Sequence, residues 1–274
     1  MSVKMVTNEG DFLRQYEECL AGRKPVLAYR TKTITSGLVR EVECYPVVLC
    51  DRSERMKHTL KTKAQMKINN LNNQRKRLER TLNTNFSEDD YFITVTNQVA
   101  VDEAEMRRRL HNYLQALRRL AAKEGKKLKY VYVIEWTQTE RGLNWHAHMV
   151  VGRIADRDTV EKKWKYGRTD CDRLQLLEGT FNGMAAYLLK NRNRVTATGG
   201  KLYVCSQGLR EPVVTISDKK MTRGRAAKVI KAARMDEQKR MMEQKNPGWR
   251  CRSVEVHFSD VFEGAYIYAQ MTRD

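Results

Sequence analysis

Histidine is scarce in this chain, with five in 274 residues, and several other features are missing altogether. No apolar run approaches the roughly 18 to 20 residues of a membrane span. The first residues, MSVKMVTNEGDFLRQYEECL, hold no apolar signal segment, so the expected location is the cytoplasm. Cys19, Cys44, Cys50, Cys171, Cys205 and Cys251 are scattered without a C-x-x-C pair. They read as reduced thiols rather than as a zinc ribbon or a disulfide framework. There is no G-x-x-x-x-G-K-[ST] loop, so no ATP-driven unwinding is evident.

Negative charge is the other shortage. The chain carries 52 Lys+Arg against 33 Asp+Glu, a net charge of +19, which makes a polyanion the natural partner. The excess is uneven. Residues 51–85 hold 10 basic and 3 acidic groups and residues 181–250 hold 16 and 5, whereas residues 86–180 hold 17 and 15. Two basic segments therefore flank a nearly neutral one.

The pattern along the chain divides the same way. Residues 9–21 read as a helix, and the β-branched stretch KPVLAYRTKTITSGLVREVECYPVVLC as short strands broken at Ser36-Gly37 and at Pro46. From Arg52 to about Asn83 neither Pro nor Gly occurs, and Met56, Leu60, Ala64, Ile68, Leu71, Leu78 and Leu82 recur at helical spacing, which predicts one long basic helix. Next come a strand (91–99), an amphipathic helix (102–124), a strand (128–136) and, across TQTERG, a second strand of an antiparallel hairpin. A helix near 157–165, a short strand near 173–177 and a helix from Gly179 into a basic cluster follow. A basic helix over 218–245 and strands at 253–258 and 264–271 close the chain. The expected class is α+β, an antiparallel sheet core covered by helices, with helical basic extensions. The expected divisions are 1–85, with N-terminal strands and a long basic helix for DNA or partner binding, then a central 86–215 domain, then 216–274.

Two of the five histidines sit in the central segment as LNWHAHMVVG. On a strand, alternate residues share a face, so His146 and His148 point one way and Trp145, Ala147 and Met149 the other. Taken alone, the pair fits two polar residues on a half-buried strand. In the partner strand of the hairpin, however, Glu135 can reach the same face. Two imidazoles and a carboxylate suit a divalent ion that keeps positions open for a substrate oxygen. Further on, AAYLLKN places Tyr187 and Lys190 one helical turn apart. A phenol is a poor nucleophile at neutral pH unless a nearby cation favours its anion, and Lys190 can supply that field or hold a phosphate. The plain alternative is an amphipathic helix with a half-buried tyrosine. Arg192 and Arg194, just beyond, suit phosphate contacts.

These residues together resemble the HUH endonucleases, and within them the single-tyrosine rolling-circle replication initiators of plasmids, phages and integrative elements. FITVT (92–96) resembles their first motif, HAH their His-hydrophobic-His motif and YLLK their Tyr-x-x-Lys motif, in the family's order. SQGLREP (206–212) resembles a segment that follows the nucleophile helix in some members. The likeness covers about residues 86–215. Ala147 is smaller than the usual residue between the histidines, and Asn97 stands where an aromatic is common.

The resemblance implies a metal-dependent DNA nickase and nucleotidyltransferase that initiates replication. It implies Mg²⁺ or Mn²⁺ on His146, His148 and Glu135, with Tyr187 as nucleophile assisted by Lys190, and a 5'-phosphotyrosine intermediate. Thr94 and Thr96 of the first motif, with Arg192 and Arg194, would contact DNA. The partners implied are a single-stranded origin and a host helicase and polymerase, with no membrane. The alternatives are a single-strand transposase or relaxase of the same superfamily, or a basic nucleic-acid-binding protein without catalysis.

Overall fold

The computed structural model describes residues 26–49, 63–140, 142–190, 202–232, 234–258 and 265–273. The helix expected over 9–21, the beginning of the long basic helix, and Arg192 and Arg194 lie outside these residues. In order, the elements are β1 (Val26–Ser36), β2 (Val39–Leu49), α1 (Lys63–Asn85), β3 (Tyr91–Thr96), α2 (Glu103–Lys123), β4 (Tyr130–Thr139), β5 (Gly142–Val151) and α3 (Arg157–Glu161). They continue with β6 (Thr169–Arg173), α4 (Asn182–Leu188), β7 (Val204–Cys205), β8 (Val213–Ser217), α5 (Arg223–Lys231), α6 (Met235–Gln244), β9 (Arg250–Phe258) and β10 (Ala265–Thr272). The class is α+β, with two antiparallel five-stranded sheets. None of the described helices is long and apolar enough to cross a membrane.

The chain forms two compact units. One is Lys67–Glu211, and the other joins Met1–Met66 to Pro212–Asp274. The charge pattern divides the chain at 85 and 215, while the packing divides it at 66 and 211. Strand pairing between the two ends of the chain is what sequence order does not reveal.

In the unit built from both ends, the strand order is β8-β1-β2-β10-β9. β1 and β2 join through a two-residue turn in which Gly37 takes φ 59°, a value that costs glycine nothing. Pro46 does not end its strand as expected. It pairs with Tyr29 of β1, beyond Cys44 where the pairing with β10 stops, so it occupies a stretch of β2 with one open edge, where a residue lacking N–H is tolerated. The helix expected over 218–245 is two helices. Gln238 Nε2 donates to the carbonyls of Val229 and Ala232 and closes the end of α5. Ala226, Val229 and Met242 then bury against Val42, Cys44, Ile267 and Ala269 of the sheet.

In the central unit, the order β6-β3-β5-β4-β7 puts β3 and β5 inside the sheet. One face carries Ile93, Val95, Ala147 and Met149, covered by Met106, Leu110, Tyr113 and Leu117 of α2. The spacing of these four α2 residues is the amphipathic repeat seen in the sequence, and Asp102 caps the helix by accepting from Glu105 N. The other face carries Val131, Val133 and Val150, covered by Leu78 and Leu82 of α1 and by Ala185 and Leu188 of α4. Near the end of α1, Asn85 Nδ2 donates to Arg210 O and its Oδ1 accepts from Arg210 N. Ser206 Oγ accepts from Tyr130 N. These bonds fix SQGLR against α1 and the start of β4.

The short strand lies at 169–173 rather than near 173–177, and α3 is five residues rather than nine. Gly167 explains the earlier strand. A Cβ there would clash with the Thr96 carbonyl and the Gln98 amide, so only glycine lets the chain return close enough to pair with β3. Downstream, Leu177 and Thr180 exchange backbone bonds across Glu178 and Gly179, at φ 53° and 74°. This tight turn delivers the chain into α4.

Candidate metal centre and its tyrosine

Strand alternation builds the site as the sequence suggested. Trp145, Ala147 and Met149 are buried in the α2-facing core, which turns His146 and His148 to the α1/α4 side. Register then supplies their neighbours: Glu135 lies directly across from His146, and Thr94 and Thr96 of β3 lie across from His148 and His146. Glu135 Oε2 stands 4.0 Å from His148 Nε2. One ligand atom from each of Glu135, His146 and His148 fits within 4.8 Å of the others.

The donor set fits a divalent cation. Glu135 is only 4% exposed, and a carboxylate so buried is costly without positive charge beside it. The second contacts of the rings are also suitable. With a proton on each Nδ1, His146 donates to Asn144 O at 3.3 Å and His148 donates to Thr94 Oγ1 at 3.0 Å. Both Nε2 lone pairs then remain available. Thr94, expected to face DNA, thus has its hydroxyl on a ligand ring. Thr96 Oγ1 donates to Arg168 O.

Tyr187 stands over the same cluster. Its ring centroid is 5.5 Å from that of His148, edge to face, and 5.6 Å from that of Phe92. Phe92 in turn stacks nearly parallel on His148 at 5.8 Å. Although wedged against these rings, Tyr187 is 50% exposed, so its hydroxyl end is open to a substrate. α4 ends at Leu188, and Lys190 falls in the turn beyond, where its N–H donates to Tyr187 O at 3.1 Å. The one-turn spacing survives although the helix is shorter than expected. Tyr203, the next tyrosine downstream, is a poorer nucleophile: burial pushes its phenol up to about 12.

Sequence reasoning missed three contributors. Phe92 reads as an ordinary strand hydrophobe, yet it fixes both His148 and Tyr187. Asn97 Nδ2 donates to Trp145 O and its Oδ1 accepts from Arg109 Nη1. It therefore ties β3 to β5 beside the histidines, which gives the departure from an aromatic a physical reason. Leu71, Asn72 and Arg75 of α1 form a groove of about 420 Å³ with Gly183, Ala186, Tyr187, Leu189 and Lys190. No local pattern links α1 to a tyrosine so far along the chain.

Known proteins offer one likeness to this arrangement. Residues 90–192 match the model of a family described as replication-associated protein, of the ORF2 type. The match supports a replication initiator. It covers less than half of the chain, and it takes in all of the cluster residues and Tyr187. Neither the curated proteins nor the solved structures compared with the chain yielded a match.

Proposed function

We propose that this protein is a replication initiator of the HUH type, which nicks single-stranded origin DNA through Tyr187. The observation that carries the reading is the half-exposed Tyr187 ring packed edge-on against His148, on the sheet face that also presents Glu135 and His146. A lone His-x-His strand would need no tyrosine there. The match to a replication-associated family and the net charge of +19 both favour DNA as the substrate.

The residues divide the work. Glu135, His146 and His148 would hold a divalent cation, Mg²⁺ or Mn²⁺, which supplies Lewis acidity at a non-bridging oxygen of the scissile phosphate. Thr94 and Phe92 keep the His148 ring oriented. The Tyr187 oxygen attacks phosphorus, a P–O bond to tyrosine forms, and the bond to the 3'-oxygen breaks. The phenol proton is lost to solvent and the departing 3'-oxygen takes one up. The products are a 5'-phosphotyrosine and a free 3'-hydroxyl for a polymerase. The new ester retains the energy of the phosphodiester, so a returning 3'-hydroxyl can rejoin the strand. Lys190 steadies phosphate charge beside the nucleophile, and Arg75 across the groove binds the adjoining backbone. The flanking basic segments add affinity for all sequences.

The test is incubation of the protein with a pool of single-stranded oligonucleotides and Mn²⁺ or Mg²⁺. A covalent protein–DNA species that requires the cation is expected. DNA binding without any such species would leave a non-catalytic binding protein.

A further inference from the structure

We propose that the central unit carries a second DNA site, a phosphate-binding cleft for duplex DNA, on the sheet face opposite the histidines. The argument begins with the near-neutral segment, where 17 basic groups face 15 acidic ones. Folding sorts these charges unevenly. Glu103 pairs with Arg107, Glu105 with Arg108 and Arg109, Asp170 with Arg168 and Asp89 with Arg173, while Glu161 and Asp172 share Arg157. Asp102 and Asp156 cap helices, and Asp90 accepts from the Ser87 and Arg153 amides.

Four cations are left over. Arg119, Lys123, Lys163 and Lys165 surround one opening of about 420 Å³ with Ala116 and Leu120 at its base. Among the described residues none of the four has a carboxylate at ion-pair distance, and neither Glu124 nor Asp158 closes a pair with them. Arg119 and Lys123 lie one turn apart on α2, about 6 Å along its axis. Four like charges around one cleft repel one another until a multiply charged anion joins them.

The rings of the cleft decide which polyanion. Single strands are gripped by stacking bases on exposed aromatic faces. Here Tyr113 is 1% exposed and its hydroxyl donates to Val160 O. The Tyr166 face is covered by the Arg109 guanidinium at 4.8 Å, and Trp164 packs against it at 5.2 Å. No ring is left for a base, so the cleft offers phosphate contacts only, as duplex DNA requires. Because α2 covers the Ala147 and Met149 side of the sheet, a duplex there leaves Tyr187 and the histidines open. The site does not depend on the nicking chemistry.

The test uses the full chain with Arg119, Lys123, Lys163 and Lys165 all changed to Gln, and a short fluorescent duplex beside an oligo-dT strand. On the duplex, the slope of log Kd against log salt should fall by roughly three to four, at about 0.9 per phosphate. On the single strand it should fall by less than about one, and adduct formation on a short single-stranded oligonucleotide should be unchanged. An R119A/K163A double change, gentler on the fold, should lose about half of the duplex slope. An unchanged duplex slope, or an equal loss on both probes, overturns the proposal. So does loss of binding to polyglutamate with the duplex unaffected, which would assign the cleft to an acidic protein.

Discussion

Thr94 Oγ1 and His148 Nδ1 lie 3.0 Å apart across the β3–β5 ladder, and this bond determines which ring nitrogen faces Glu135. The hydrogen-bond partner of a ligating histidine commonly accounts for roughly 10- to 100-fold in metal affinity. Thr94→Val keeps the strand and removes the bond. Mn²⁺ affinity measured by calorimetry should weaken by about that factor, with the fold unchanged by circular dichroism. Equal affinity in the variant would remove Thr94 from the site.

Metal should also stabilise the fold. A cation that binds only the folded protein adds about 2.7 kcal/mol at 100 times its Kd. Thermal unfolding with and without Mn²⁺ should show a higher Tm with the ion, and His148→Ala should abolish the difference. The same shift in His148→Ala would mean that the ion binds elsewhere.

Arg75 shares a groove with Tyr187 and Lys190 but lies on a different helix. If it holds substrate backbone equally in ground and transition state, Arg75→Ala raises KM with kcat unchanged. A change of about tenfold, roughly 1.4 kcal/mol, is expected. A fall in kcat alone would place Arg75 in the chemistry instead.

The sheet face of the metal cluster was legible because period-two alternation needs no knowledge of tertiary structure. HAH and the hairpin partner Glu135 follow from it directly. The α1 wall of the groove was not legible, since the contact between Arg75 and the Tyr187 helix depends on how α1 packs. The joining of β2 to β10 was equally hidden, because nothing local marks strands from opposite ends of a chain as partners. Pro46 and the 218–245 segment misled for a related reason. Tertiary context, an open strand edge in one case and a capping glutamine in the other, overrode the local signal.

Burial raises the thiols of Cys44 and Cys251 to about 11 and that of Cys171 to about 12, chiefly by desolvation. The folded state therefore favours the protonated thiol. The stability this contributes is present below the ordinary value of 9 and is lost as pH rises through about 11 to 12. Labelling by a thiol reagent at pH 8 should be slow at these three positions until denaturant is added. Rapid labelling in the native protein would contradict the packing described.

Glu178 holds φ 53° in the turn that leads to α4, a conformation that favours asparagine or glycine. Glu178→Asn should stabilise the protein by up to about 1 kcal/mol, read as a higher denaturation midpoint. A lower midpoint would show that the Glu178 side chain contributes more than its backbone costs.

The central claim is tested most directly by locating the covalent bond. Protein incubated with a single-stranded oligonucleotide that it cleaves should be digested and analysed by mass spectrometry. Nucleotide mass is expected on the peptide containing MAAYLLK, at Tyr187, and Tyr187→Phe should bind Mn²⁺ and DNA yet form no adduct. As a mere packing residue, Tyr187 would lose at most about one hydrogen bond, on the order of 1 kcal/mol, and the variant would remain active. An adduct on Tyr203, or full adduct formation by Tyr187→Phe, would contradict the account.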